Sequence, residues 1–416
     1  MFFLYRLTIN LIILFSPIII LIRLLKKKED SSRFKEKFSF FSKKRTGGKL
    51  IWFHGASVGE ILSIIPLVQE LEKNKDISKI LVTSNTLSSS KVLNNLKLKK
   101  TIHQFYPIDN TYIVNKFLHY WSPSIAIFID SEIWPNMLTN IKKKSIPLVL
   151  LNARINKKSF KKWIRLGLTA KKLFNKFDLC LPSSNVSKKH LKLLNAKNIK
   201  YIGNLKFTES EVKKDSLNKN LKMFFLSKKI WCASSTHKNE EEIAAKVHIK
   251  LKKKSKNILT IIIPRHINRT AEIANKLKEL NLKVHLHSSP YKIDDKTDIY
   301  LVDVYGKTKK FFSICNIVFL GGSLIKHGGQ NPLEAARYGC QILHGKNIWN
   351  FGEIYRLLNR FKVAYKINNL KQMSEKISIV FKNKQNTKNI KFKLNSLSNK
   401  ILRLTLKEIN YLINNK

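Results

Sequence analysis

Short, nearly continuous apolar runs alternate along the chain with longer stretches in which apolar residues recur at helical spacing, the pattern of α/β units built on parallel strands. KLIWFHGAS predicts a first strand and its turn, ILSIIPLVQELEK a helix, and KILVTS, SIAIFID and IPLVLLNAR three further strands. The pattern fades across the charged segment NLKFTESEVKKDSLNKNLKMFFLSKK. It restarts at IWCASST, followed by ILTIIIPRH, KVHLHSS, DIYLVDVYG and IVFLGGS. Two Rossmann-like lobes are expected, the first over 29–205 and the second over 229–416 with terminal helices, joined by a linker at 206–228. A cleft between such lobes is the expected place for a ligand. From about Gln372 the chain reads as charged helix.

The segment before the first lobe has a different character. Leu7 to Leu25 is apolar over nearly the length that spans a bilayer, interrupted by Asn10, Pro17 and Arg23. Residues 1–28 are expected to form a membrane anchor. Lys26, Lys27, Lys28, Arg33, Lys35 and Lys37 follow the apolar run and only Arg6 precedes it, which places the lobes on the cytoplasmic side. No small-x-small cleavage site follows, so an uncleaved anchor is favoured over a signal peptide. The polar interruptions leave a helix lying in the interface as the second form.

Composition changes the picture in one respect. The 416 residues carry 79 Lys plus Arg against 27 Asp plus Glu, a formal charge of +52 that attracts nucleic acid, anionic headgroups and phosphorylated ligands alike. Lys is dispersed beside Asn and Ile through the whole chain, as a nucleotide bias in the encoding genome also produces. A nucleic-acid binder requires basic residues on one face with interleaved aromatics, so that class is disfavoured. Cys180, Cys232, Cys315 and Cys340 lie far apart without C-x-x-C spacing, which suits a reducing compartment and buried thiols.

Open α/β sheets bind ligands beyond the carboxyl ends of their strands, and the chemically loaded motifs fall there. HGASVGE, His54 to Glu60, is a strand, a small-residue turn and a helix start, with Ser57 and Glu60 spaced as a capping box. Capping alone explains that pair, yet Gly55 and Gly59 leave the backbone bare beside the acid, so that a hydroxyl can approach it. In FIDSEIWPN, Asp130 and Glu132 precede Trp134 and Pro135, either as caps or as the wall of a polar cleft. Lys206 comes just after a predicted short strand, near Gly203 and the lobe boundary, where a cation can meet phosphate. In the second lobe, SSTHKNEEE opens a helix with acids, and Pro264, Arg265 and His266 leave a strand end. Gly321, Gly322, Gly328 and Gly329 lead to Asn331 as cap, Pro332 at the first helical position and Glu334 two residues on, which suits phosphate at a helix start.

Taken in order, HGASVGE, DSEIWPN, LLNARIN, GNLKF, ASSTHKNEEE, PRH and GGSLIKHGGQNPLE resemble the signature blocks of bacterial transferases of 3-deoxy-D-manno-octulosonic acid (Kdo), from the anchor to about Glu353. The resemblance implies an α/β GT-B fold of two Rossmann-like lobes behind the N-terminal anchor helix, with inverting transfer that needs no metal and no separate cofactor. It further implies CMP-Kdo as donor substrate, a lipid A precursor as acceptor, and a place on the inner membrane with its anionic lipids, with no nucleic-acid partner. By the same resemblance Glu60 is the general base, Asp130 and Lys206 stabilise the transition state, and the nucleotide is held by Pro264, Arg265, Tyr305, Gly306, Lys307, Asn331, Pro332, Leu333 and Glu334. Asp130 stands where a Glu is usual, Gln330 where a His is usual, and Lys307 where an acid is often found. The alternative within the fold class is a transferase for another nucleotide sugar.

Overall fold

In the computed structural model, which describes residues 2–96, 98–209, 217–382 and 387–414, the alternating pattern closes into two units. One comprises Met1–Ser210 with Ser398–Lys416, the other Glu211–Leu397. The expected linker at 206–228 lies in part outside the described residues. Its remainder forms a 3-10 turn, Leu205–Phe207, and a helix, Lys219–Leu226.

In the first unit, β1 (Lys49–His54), β2 (Ile77–Ser84), β3 (Thr101–Phe105), β4 (Ile125–Ile129), β5 (Leu148–Ala153) and β6 (Leu179–Pro182) form a parallel sheet in the order β3-β2-β1-β4-β5-β6. Helices cover both faces, so central strands are buried on both sides and read as unbroken apolar runs. Trp52, Phe117, Trp121 and Phe128 are fully enclosed, each contributing roughly 2–3 kcal/mol of burial. The Trp52 indole donates to Thr83 Oγ1 at 2.9 Å, which removes the cost of burying its N–H. Two strands were not legible in the sequence. β3 is an edge strand carrying His103 and Gln104, whose polarity is met internally: His103 faces Ser84 and Arg33, and Gln104 accepts from the Trp121 indole. β6 is only four residues long.

The apolar N-terminus forms two helices, Phe2–Leu14 and Ser16–Leu25, bent by 56° to each other. The cause is Pro17, which has no N–H to give the Ile13 carbonyl. The Ser16 hydroxyl takes that place, donating to Ile13 O at 2.6 Å. No single described helix is long and apolar enough to cross a membrane; the bent pair reaches that length together. Tyr5, Ile9, Ile13, Ser16 and Ile20 are its less exposed positions, while Phe3, Leu4, Leu14, Ile18, Leu21 and Leu25 stand open.

The second unit repeats the plan. β7 (Lys229–Thr236), β8 (Ile258–Pro264), β9 (Val284–Leu286), β10 (Ile299–Leu301), β11 (Ile317–Leu320), β12 (Gln341–His344) and β13 (Ala364–Lys366) pair in parallel in the order β13-β12-β11-β7-β8-β10-β9. β12 and β13 are too short to show a period. All four cysteines are buried and free. The division between the units falls inside the last helix, Thr387–Asn414, so the chain from Ser398 groups with the first unit and not, as expected, with the second. The helix is amphipathic, and Ile401, Thr405 and Ile409 form a buried stripe on it. Gly203 is bare where it meets Ile401, since a Cβ there would lie 2.8 Å from Ile401 Cδ1, and Lys200 pairs with Glu408 at 2.7 Å.

Candidate active site

The strand order reverses between β1 and β4 in the first unit and between β7 and β11 in the second, with a further swap of β9 and β10 at one edge, and a crevice opens beyond the carboxyl ends at the two central reversals. HGASVGE and FIDSEIWPN lie on the first of these, and SSTHKNEEE and the Gly321–Gly322 turn on the second.

In the first unit, Glu60 follows β1 in the first turn of the helix Val58–Glu72. Its backbone N–H donates to Ser57 Oγ at 3.4 Å, and its carboxylate accepts from Ala56 N at 2.7 Å and from the Ser57 hydroxyl at 2.9 Å. The Ser57 cap is therefore formed, with the acid reaching back to the N–H before the cap, and these bonds occupy two of about four acceptor positions of the carboxylate, leaving the others for a substrate hydroxyl. Burial raises the Glu60 carboxyl above its ordinary range against the downward pull of Ser57, and the Glu132 charge adds to the rise.

Across the reversal, β4 ends in a turn. Asp130 has φ +60°, a left-handed conformation that Asp tolerates better than most side chains, and its Oδ1 is buried with no hydrogen-bond partner. Burial pushes its carboxyl up to about 6; Arg154 and Lys206 oppose the shift, while Glu60 and Glu132 reinforce it. Glu132 goes the other way. Burial works upward on it too, but hydrogen bonds from His54 Nε2 at 3.2 Å and from the Trp134 indole at 2.8 Å hold it below its usual value. Two carboxylates driven apart in this manner are the mark of divided acid–base roles. Lys206 does not follow a strand, as expected, but sits in the turn Leu205–Phe207, whose first N–H is held by Asn152 Oδ1 at 3.0 Å. Asn152, with φ +54°, stands where the β5–β6 register shifts, which turns its amide out toward that segment.

In the second unit the loops after β7 and β11 are stapled by Glu240. Its carboxylate is fully enclosed and accepts from Gly322 N at 2.7 Å, His237 N at 3.0 Å and Leu324 N at 3.1 Å. Gly321 permits the approach, since a Cβ there would lie 2.7 Å from Thr236 Cα. His237 packs against His327 with the rings tilted by 36° and centroids 4.1 Å apart, and His266 lies 5.9 Å from His237. Burial, joined by His327, His266, Arg265 and Arg269, lowers His237 to about 4. Gln330, where a His was expected, meets His237 Nε2 at 3.4 Å. Pro264 ends β8 and is buried; Arg265 and His266 beyond it are exposed. Tyr305 and Gly306 lie exposed beyond β10, with Lys307 half-buried.

At Asn331–Glu334 the Asn331 cap is formed, but the helix opens one residue later than expected. The helix runs from Leu333 to Arg337, and Asn331 Oδ1 accepts from Leu333 N at 3.1 Å. Pro332 and Leu333 are buried, so their side chains serve packing. Glu334 does not cap; it pairs with Lys309 at 3.5 Å. The single turn follows from the left-handed Gly339 (φ +85°), which ends it. Sequence reasoning did not single out His54, His237, His327 or Glu240 as functional, although each stands inside a quoted motif. Each acquires its role from partners distant in the chain.

The family model described as 3-Deoxy-D-manno-octulosonic-acid transferase (kdotransferase) matches residues 32–209. A probable mitochondrial 3-deoxy-D-manno-octulosonic acid transferase of Arabidopsis thaliana is 35% identical over 86% of this chain and 83% of its own length. The 3-deoxy-D-manno-octulosonic acid transferase of Rickettsia bellii is 35% identical over 84% of each chain. Among solved structures, a putative UDP-N-acetylglucosamine 2-epimerase of Listeria monocytogenes superposes with a TM-score of 0.58 at 13% identity, covering 83% of this chain and 91% of its own, a likeness of fold alone.

Proposed function

The chain belongs to the family of 3-deoxy-D-manno-octulosonic acid transferases, and from that premise we propose that it moves Kdo from CMP-Kdo onto a lipid A precursor, with inversion and without a metal. A primary hydroxyl is a weak nucleophile, so a carboxylate takes its proton as the oxygen bonds to the anomeric carbon and the bond to the CMP phosphate breaks. Glu60 is that base. The leaving CMP keeps the bonding electron pair, and the cationic Lys206 offsets its charge. Asp130 sets the field around Lys206 and Glu60. In the second unit Arg265, exposed at the end of β8, suits a nucleotide phosphate, and Tyr305 offers an exposed ring beyond β10.

The observation that carries this reading is the placement of Glu60 and Asp130 at the carboxyl ends of the adjacent strands β1 and β4, with Asp130 Oδ1 buried and without a hydrogen-bond partner. The open apolar face of the N-terminal helix pair, followed by Lys26, Lys27 and Lys28, supports attachment to an anionic inner membrane from the cytoplasmic side. Purified protein incubated with CMP-Kdo and a tetraacylated disaccharide lipid is expected to yield a product heavier by the mass of Kdo on mass spectrometry. CMP, but not UDP, is expected to raise the unfolding midpoint. No Kdo-bearing lipid, or protection by UDP in place of CMP, overturns the assignment.

A further inference from the structure

A helix that served only as an apolar tether would need no polar side chains, since each is costly to place beside lipid. The helix Phe2–Leu14 nevertheless carries Tyr5, Arg6 and Asn10, and all three engage one region of the first unit. The Tyr5 hydroxyl donates to Asp109 Oδ2 at 2.7 Å, Arg6 Nε to Asn136 Oδ1 at 3.1 Å, and Asn110 Nδ2 to Asn10 Oδ1 at 2.9 Å.

Asp109, 2% exposed, is the centre of this junction. The helix Pro135–Lys143 begins at Trp134 with no side-chain cap of its own, which leaves its first N–H groups in need of acceptors. Asp109 supplies them from a distance: Oδ2 accepts from Asn136 N at 3.0 Å and Oδ1 from Met137 N at 2.7 Å. The residues just before that helix are Glu132 and Trp134, the acid of the site and the indole that holds it. From the same loop as Asp109, Tyr106 stacks on His54 at 3.6 Å and lies 5.4 Å from Trp134, so both groups that hold Glu132 rest against it.

We propose that Asp109 is a positioning residue: with Tyr5 docked on it, it fixes the first turn of Pro135–Lys143 and thereby the Glu132–Trp134 turn, so that the placement of the N-terminal helix sets the geometry of the acid site. The inference rests on the catalytic reading of Glu60 and its neighbours. It gives the apolar N-terminus a second task beside attachment.

The test is Tyr5→Phe in the full chain, which keeps the ring and removes only the donor. kcat is expected to fall about 5- to 10-fold with KM for CMP-Kdo unchanged, and the unfolding midpoint to fall by only about 2–4 °C, the scale of one lost hydrogen bond. The same loss is expected whether the acceptor is presented in detergent micelles or in vesicles of anionic phospholipid. An unchanged kcat, or a loss confined to vesicles, overturns the proposal, the latter because it marks a defect of recruitment. Glu60→Gln run in parallel separates the two readings. Turnover that survives Glu60→Gln overturns the catalytic reading and this one with it, whereas an inactive Glu60→Gln beside an unimpaired Tyr5→Phe overturns the positioning role alone.

Discussion

The two strand reversals occupy the same topological place and are furnished with opposite chemistry. At β1/β4 the first unit gathers Glu60, Asp130 and Glu132; at β7/β11 the second gathers His237, His327 and His266 beside Arg265, over a glycine backbone. Each also contains a carboxylate that accepts from backbone N–H groups, but to different effect. Glu60 is half-buried and spends part of its capacity on its own helix start, while Glu240 is enclosed and spends three bonds joining two loops. The lesson is that one architecture offers a polar crevice, and partial or complete satisfaction of its acid decides between chemistry and scaffolding.

The comparison can be broken most forcefully at Glu60. Glu60→Gln is expected to lower kcat by about 10³-fold in steady-state assays, within the range for a lost general base, and to leave protection by CMP intact. Because Glu60 is raised and must be ionised to accept a proton, the acid limb of the kcat/KM profile should lie above the ordinary carboxylate range, with activity lost as pH falls. Glu240→Gln is expected instead to cost stability, about 3 kcal/mol in urea unfolding, because the amide keeps one acceptor oxygen for the Gly322 and His237 N–H groups and must set its NH2 against the buried Leu324 N–H. Near-wild-type stability in that variant would remove the scaffolding role.

Glycines sharpen the contrast at smaller scale. Gly321→Ala is expected to destabilise by about 2 kcal/mol, since its Cβ meets the backbone of Ser235 and Thr236. Gly59→Ala, with nothing within 4 Å of the new methyl, is expected to be neutral or to stabilise by about 0.5 kcal/mol. The smallest effect concerns His237. Its folded value near 4 lies below that of an unfolded histidine, so the unfolded chain binds the extra proton between roughly pH 6.5 and 4. Stability contributed by neutral His237 is therefore full above that window and lost as pH falls through it, a change of about 2 °C in the calorimetric midpoint that His237→Gln should abolish.

Much of both sheets was legible because parallel strands covered on both faces need continuous apolar residues, as in IWFH and ILTIIIP. The strands that escaped were edges or very short: β3 hides behind His103 and Gln104, and β6, β12 and β13 are too brief for a period. The motifs were legible as blocks, and the Ser57–Glu60 cap as a spacing. Lys206 was placed after a strand that the structure replaces with a turn, and the helix expected to open at Pro332 opens at Leu333.

The sequence by itself determined what depends on neighbours along the chain: apolar period, helix starts such as Ser57–Glu60, and the break that Pro17 imposes on the N-terminal helix. Only the tertiary structure decided that His54 restrains Glu132 across 78 residues, that Glu240 joins loops 82 residues apart, and that Tyr5 reaches Asp109. The physical reason is that desolvation and hydrogen-bond pairing, which set the state of each acid, belong to the enclosed volume around a group and not to its place in the chain.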